Sequence, residues 1–362
     1  MPAAVSSDTP APTDETVWPS ATTSGKLSRS HAAAYLTRID LPTTLLDAPP
    51  SLDLLRQLQS SHIFTVPFES LTVHVPNWHD HSAPIFLGGG ETVTLGEEAY
   101  RRIVALKRGG YCFSLNSTFA ALLRSFGFRV SECAARVFSN QMKDPEEAGY
   151  EWESTSHQVS IVDWEGSDGR YLADVGFGRS SAFPIPLVSG EQVLSQPDST
   201  LYRIEQSLRL PGISPSLLPD SAPYWTVWRQ CVSPPEKGNK PYFSPVYAFL
   251  LQSVPFRDFV TYNHYQSTHP AARFRTFFCA TVLHPNGERS TLQYSEGQGD
   301  DEGEKKAKLT RTAPAKAECG ENEGLVRDEQ RECRWIEMTV GAVREVLEKE
   351  FGMLFPEDYA GN

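Results

Sequence analysis

At Arg129 the spacing of apolar residues along this 362-residue chain changes from that of a helix to that of a strand. Before that point His31–Ile39, Ser51–His62, Glu97–Lys107 and the run through Leu115, Phe119, Leu122 and Phe126 carry apolar groups at helical intervals. After it Val130–Phe138, Ser156–Trp164, Tyr171–Phe177, Tyr224–Val232 and Arg275–His284 are rich in β-branched and aromatic residues and read as strands. A helical first domain followed by an antiparallel sheet or barrel is therefore expected, an α+β order. Gly88–Gly90 with Glu91–Leu95 predicts a turn and a short strand, and Val66–Leu71 is an apolar segment interrupted by Pro67. Asn140–Glu153 and Leu194–Pro223 read as long loops, and Tyr294–Gln330, polar and charged, as a mobile insertion. Arg334–Met338 predicts a strand, and Val340–Phe351 an amphipathic C-terminal helix.

Hydrophobic residues make up 40% of the chain, enough for a large core. Lys and Arg number 33 against 45 Asp and Glu, and the net charge of −12 argues against nucleic acid or an anionic membrane as the main partner. No apolar run approaches a membrane span, and the Ala-, Ser-, Thr- and Pro-rich start lacks the apolar stretch of a secretory signal. It reads as a disordered arm. The cysteines at 112, 133, 231, 279, 319 and 333 form no C-x-x-C pair, so neither a disulfide framework nor a zinc site is expected, and a cytoplasmic setting fits.

Cys112 directly follows Arg108-Gly109-Gly110-Tyr111 and opens the last of the four helical runs. Free N–H groups and the positive end of a helix dipole favour a thiolate there, the nucleophilic form of cysteine. The ordinary alternative is a small buried apolar residue, so chemistry requires a base. Of nine histidines, His157 alone opens an apolar strand, and the following strand carries Asp174 among apolar neighbours, where an unpartnered carboxylate is costly. A Cys–His pair forms a thiolate–imidazolium, and a carboxylate on the other ring nitrogen fixes the tautomer. Asp163 lies roughly 20 Å from His157 along an extended strand and is set aside. A turn at Glu165-Gly166 sets His157 opposite Asp174; one centred on Ser167-Asp168 leaves them about 13 Å out of register.

With these residues in place, the chain resembles the arylamine N-acetyltransferase family, fungal members in particular. Val66–Leu71 resembles its P-F-E-N-L segment, Arg108–Asn116 its R-G-G-x-C motif, Ala135-Arg136-Val137 its A-R-V strand, and Asp174–Gly178 its D-x-G-F-G turn. Asn263–Pro270 resembles its N-x-Y-x-S-T-x-P segment. Ser114 and Ser70 depart from the pattern, standing where Glu or Gln, and Asn, are frequent.

The resemblance implies Cys112 as nucleophile, His157 as base and Asp174 as orienter, a cysteine-protease-like core. It implies a disordered arm over 1–28, a helical domain over 29–128, a β-barrel domain over 129–232 and an α/β lid over 233–362 with its insertion at about 294–330. The implied activity is acyl transfer from acetyl-CoA or malonyl-CoA, with no tightly bound cofactor and no metal, to an arylamine or hydrazine. Phe177, Tyr111, Phe113, Phe138 and Gly176 are candidate substrate contacts, Ser267 and Thr268 candidate CoA contacts, and Arg101, Arg102 and Lys107 possible phosphate partners by position. Arg108 and Glu69 are expected to pair internally. The alternatives are a Cys–His–Asp hydrolase or transglutaminase-like enzyme, and a non-catalytic CoA or small-molecule-binding protein.

Overall fold

Ser28 accepts a hydrogen bond from the His31 N–H and caps α1 (Arg29–Arg38); Ser51 does the same for Leu54 at the start of α2 (Leu52–Thr65). The computed structural model describes residues 14–20, 23–212, 222–299, 303–314 and 328–356, with side chains from 332 onward in the last segment. Of the expected disordered arm over 1–28, residues 1–13, 21 and 22 lie outside the described residues, and the rest is corrected: Val17 pairs antiparallel with Lys26, and Leu27 and Ser28 are buried. The helix expected at 97–107 is present but changes pitch, α3 (Glu97–Tyr100) running directly into a π turn over Arg101–Ala105. α4 (Cys112–Ser125) is buried from Cys112 through Leu123 and ends where Gly127 turns at φ 88°. The remaining helices are α5 (Pro145–Ala148), α6 (Phe256–Thr268), α7 (Arg273–Thr276) and α8 (Val340–Phe351), the last with the expected bounds.

The strands are β1 (Phe68–Glu69), β2 (Arg129–Phe138), β3 (Trp152–Asp163), β4 (Tyr171–Ala173), β5 (Ile185–Pro186), β6 (Gln192–Ser195), β7 (Thr200–Ser207), β8 (Tyr224–Val232), β9 (Pro241–Ser253), β10 (Phe277–Leu283), β11 (Arg289–Ser295), β12 (Lys306–Pro314) and β13 (Asp328–Glu337). Eight of them pair antiparallel in the order β5-β4-β3-β2-β9-β8-β7-β6, and the other five in the order β1-β10-β11-β12-β13. Leu172 and Ile185 at one end of the larger sheet share an apolar cluster with Tyr202 and Ile204 near the other, so this sheet rolls into a nearly closed barrel. The smaller sheet buries Phe278, Leu292 and Leu309 against Val343 and Leu347 of α8. A third cluster joins Leu36, Leu58 and Phe119 of the helices to Val162, Ala173 and Val175. It seats α4 on the β3–β4 edge.

Three further expectations are corrected. Residues 91–95 form no strand; Glu91 N–H bonds to the Thr72 carbonyl, and the Val93 carbonyl accepts from Asn263. The loop expected over 194–223 contains the end of β6 and all of β7, whose Thr200, Tyr202 and Ile204 point inward at a two-residue period too short to stand out; 213–221 lie outside the described residues. Within the expected insertion, β12 sits between β11 and β13, held by buried Ala307 and Leu309 at the same period, while 300–302 and 315–327 lie outside the described residues.

Two buried histidines make stability pH-dependent. His62, hydrogen-bonded through Nδ1 to the Tyr35 hydroxyl at 2.8 Å, is pushed down to about 3 by burial and then by Arg38. His74, which accepts from the Gly88 N–H at 2.8 Å, is pushed down to about 4, chiefly by burial. Both stay neutral in the folded chain while their unfolded counterparts protonate below about pH 6.5, so the unfolded state binds more protons and stability falls as pH falls. Urea denaturation at pH 7.5 and pH 5 is expected to show a loss of about 2 kcal/mol per histidine. An unchanged urea midpoint refutes this.

Candidate active site

Tyr111 is extended, with φ −110° and ψ −175°, and Cys112 is the first residue of α4. The glycine pair before it permits two close approaches. A Cβ on Gly109 would stand 2.0 Å from the Pro67 carbonyl oxygen, and one on Gly110 would stand 2.2 Å from Ser114 Oγ. Ser114 is therefore packed beneath the turn, its hydroxyl donating to the Tyr111 carbonyl at 3.0 Å. Ser70 Oγ accepts from the Cys279 N–H at 3.2 Å and ties β1 to β10.

β2 and β3 pair as Ala135 with His157, then as Arg136 with Thr155, which leaves Ser156 as a bulge. The bulged carbonyl accepts a hydrogen bond from Cys112 Sγ at 3.4 Å. His157, next along the chain, directs Nε2 at Asp174 Oδ2, 2.9 Å away, with both side chains buried. An ionised carboxylate only accepts, so Nε2 carries the proton and Nδ1 is the nitrogen left to act as a base. Ser160 pairs with Ala173 and Val162 with Tyr171, so His157 and Asp174 are two residues out of register, midway between the two turn geometries set out above. An offset of two keeps them on one face, and a diagonal pair is within side-chain reach.

Asn116, one helical turn after Cys112, completes the arrangement. Its Nδ2 donates to Asp174 Oδ1 at 2.9 Å and to the Gln158 carbonyl at 2.5 Å, and its Oδ1 accepts from the Val175 N–H at 2.9 Å. The Gly176 N–H also donates to Asp174 Oδ1, at 2.9 Å. A Cβ on Gly176 would stand 2.7 Å from Cys112 Cα and 2.8 Å from Asn116 Nδ2, so glycine is required there.

Cys112, His157, Gly176 and Phe177 all line one cavity of about 330 Å³. Other expected contacts lie elsewhere. Tyr111 is buried and donates its hydroxyl to Asn263 Oδ1 at 2.7 Å; Phe113 packs on Phe259 in the helical core; Phe138 packs on Tyr150 and Trp152. Their apolar area is taken up by the core. Ser267 and Thr268 form the last turn of α6, and both hydroxyls donate to the His264 carbonyl, Ser267 also to that of Asn263; the cavity wall is instead reached by their neighbour Gln266. Arg101 pairs with Glu98 at 3.0 Å, and Arg102 is buried and donates to the Thr94 carbonyl. Arg108 donates to Thr72 and lies over the Trp78 and Phe355 rings, while Glu69 accepts from the Leu71 N–H.

Sequence reasoning did not single out Asn116, Ser156, Tyr247 or Arg179. Asn116 is four residues from Cys112 on the same helix face, a spacing that was legible. Tyr247, whose ring centroid lies 4.8 Å from that of His157, comes from β9 and carried no local signal. Among the described residues no His, Cys, Asp or Glu cluster is arranged to hold a metal, and no helix is long and apolar enough to cross a membrane. Cys112, Cys133, Cys231, Cys279 and Cys333 are free thiols; Cys319 lies outside the described residues.

A family model described as N-acetyltransferase matches residues 51–319, most of the chain. The chain belongs to the arylamine N-acetyltransferase family. It is 29% identical over 254 residues to an arylamine N-acetyltransferase of Mycobacterium tuberculosis, spanning 69% of this chain and 73% of that protein. It is 25% identical over 284 residues to the N-malonyltransferase FDB2 of Fusarium pseudograminearum, spanning 74% of this chain and 78% of that protein. The solved arylamine N-acetyltransferase of Mycobacterium marinum in complex with CoA shares the fold, with a TM-score of 0.56, 22% identity and coverage of 89% of this chain and 92% of the other. As a member of this family, the protein is an acyltransferase enzyme.

In this arylamine N-acetyltransferase family member, burial is the largest influence on the Cys112 thiol and the Asp174 carboxyl. Burial pushes the Cys112 thiol well above its ordinary value and the Asp174 carboxylate adds to this, against backbone hydrogen bonds that favour the anion. The helix N-terminus does not suffice to make a free thiolate. Burial also raises the Asp174 carboxyl, but His157, Asn116 and the Gly176 N–H outweigh it and hold the group below its usual range.

Proposed function

We propose that this chain moves an acyl group from an acyl-CoA to an aromatic amine or hydrazine by a ping-pong cycle through S-acyl-Cys112. The observation that carries the reading is the opening of Cys112 and the Asp174-bound His157 onto one cavity. The names of the relatives, and the CoA bound to the Mycobacterium marinum enzyme, support it.

His157 Nδ1 takes the thiol proton, and Cys112 sulfur attacks the thioester carbonyl carbon. The carbon–sulfur bond to CoA breaks, and the departing CoA thiolate takes the proton back from His157. In the second half the amine nitrogen attacks the acyl-cysteine carbonyl while His157 removes its proton; the acyl–Cys112 bond breaks and the proton passes to the Cys112 sulfur. In this reading backbone N–H groups at the start of α4 donate to the oxyanion of each tetrahedral intermediate. Phe177, half-buried in the cavity wall and 5.2 Å from the His157 ring, offers an aromatic face to the acceptor.

Intact-protein mass spectrometry after separate exposure to acetyl-CoA and malonyl-CoA, followed by an arylamine chase, tests this. A gain of one acyl group, mapped to Cys112 and discharged by the amine, is expected. An adduct on another residue, or one that water removes as fast as amine does, overturns the transferase reading.

A further inference from the structure

Gln266 on α6 is 3% exposed, forms part of the wall of the cavity at Cys112, and makes no side-chain hydrogen bond among the described residues. A buried amide left unpaired is costly unless a ligand supplies its partner. Gln293 on β11 reaches the same cavity, and its amide is likewise unbonded among the described residues. Its place follows from the smaller sheet. Gln293 pairs with Cys279, and Thr291 with Thr281, so these four side chains share one face of β10 and β11. Phe278, Ala280 and Leu292, on the opposite face, pack into the cluster with α8. The cavity side of the sheet thus offers neutral hydrogen-bonding groups. Thr281 and Thr291 hydroxyls bond each other at 3.1 Å, which uses one proton and leaves the other to donate outward.

The charges on the wall are already matched. His157 aside, they belong to Glu153, Arg179 and Arg273. Arg273 pairs with Glu153 at 3.4 Å, and Arg179 is also engaged within the chain. A phosphate entering the cavity therefore meets no spare cation on its wall, whereas an amide meets two glutamines, each able to donate and to accept. Of the substrates proposed above, only the donor always brings amides. In an acyl-CoA two secondary amides lie along the pantetheine arm, between the thioester sulfur and the diphosphate. Arylamines as a class share no hydrogen-bonding group besides the reacting nitrogen. We infer that Gln266 and Gln293 read the amides of the pantetheine arm, so that the donor is recognised by this arm and its nucleotide is dispensable. Pantetheine thioesters that carry no nucleotide are then donors in their own right. The inference rests on the acyl-cysteine reaction proposed above.

The test is acylation of Cys112 without amine, followed by rapid-quench intact mass, for a series of thioesters of one acyl group. The series runs from the CoA ester to the pantetheine ester, then to the N-acetylcysteamine ester, which keeps only the amide nearer the sulfur, and to an S-propyl ester with none. The acyl group is whichever of acetyl and malonyl labels Cys112 faster from CoA. At equal subsaturating concentration the pantetheine ester is expected within about threefold of the CoA ester, with a drop of about tenfold for each amide removed. Gln266→Met and Gln293→Met keep the side-chain length and remove the hydrogen bonds. Each is expected to lower the rate ratio of pantetheine ester to S-propyl ester by about tenfold. Both rates come from one preparation, so a partly unfolded variant does not mimic the effect. A fall of more than about tenfold on removing the nucleotide, or a ratio that neither substitution moves, overturns the inference while the transferase reading stands. A loss confined to discharge of the acyl-enzyme by amines assigns the glutamines to the acceptor and also overturns it. Failure of every thioester to label Cys112 removes both.

Discussion

His157→Gln is expected to slow acylation of Cys112 by about 10³-fold or more and to make the thiol unreactive to iodoacetamide at neutral pH. Burial and the Asp174 charge raise the Cys112 thiol, and a glutamine holds no proton with which to form the compensating ion pair. Raising the pH to about 9 does not restore the rate, because the isolated thiol sits well above its ordinary value of about 8.5. Peptide mapping after timed alkylation gives the rate at each described cysteine. In the parent Cys112 is expected to label faster than partly buried Cys279, whose thiol burial also raises, and in the variant no faster. Equal labelling of Cys112 in parent and variant refutes the assignment of His157 as its base.

Asp174→Asn is the second large effect. The amide neither carries the charge that favours imidazolium nor fixes Nε2–H as the donor, and turnover is expected to fall by about 10³-fold or more. Stability falls too, by about 3 kcal/mol at neutral pH, because a buried partner of His157 and Asn116 is removed. The sign of the pH dependence is fixed. A carboxyl held below its unfolded value contributes stability that is complete above about pH 4 and disappears as pH falls through the folded value. Parent and variant should therefore converge in urea midpoint towards low pH. A gap that stays constant from neutral pH down to acid refutes the charge-based account.

The residues that set this chemistry were readable to different depths. Cys112 at a helix start was legible, because two glycines and a helical period bracket it, and Tyr224–Val232 and Val340–Phe351 were legible to the residue. Asp174 stood out as a lone acid among apolar neighbours. The state of the thiol was not legible: a helix terminus favours the anion, but its burial depends on packing against Gly176, sixty-four positions away. Ser156 was invisible for another reason. A bulge is a mismatch between two strands, and neither strand's sequence records it alone. β7 and β12 were hidden by short alternation among polar residues, and the inward turn of Tyr111, Phe113 and Phe138 by core volumes that a linear reading does not sum.

Cys112, the proposed nucleophile, belongs to a helix, whereas the atoms proposed to activate it arrive on β3 and the turn after β4, from 44 to 62 residues later in the chain. A ribosome-bound chain that has made α4 alone carries an ordinary thiol, and so does a chain whose barrel edge has peeled away. Reactivity is thereby coincident with completed assembly. A thiol that could scavenge electrophiles or cross-link misfolded neighbours is armed only in molecules whose separate parts have already met, and a cysteine-directed probe would count those molecules alone.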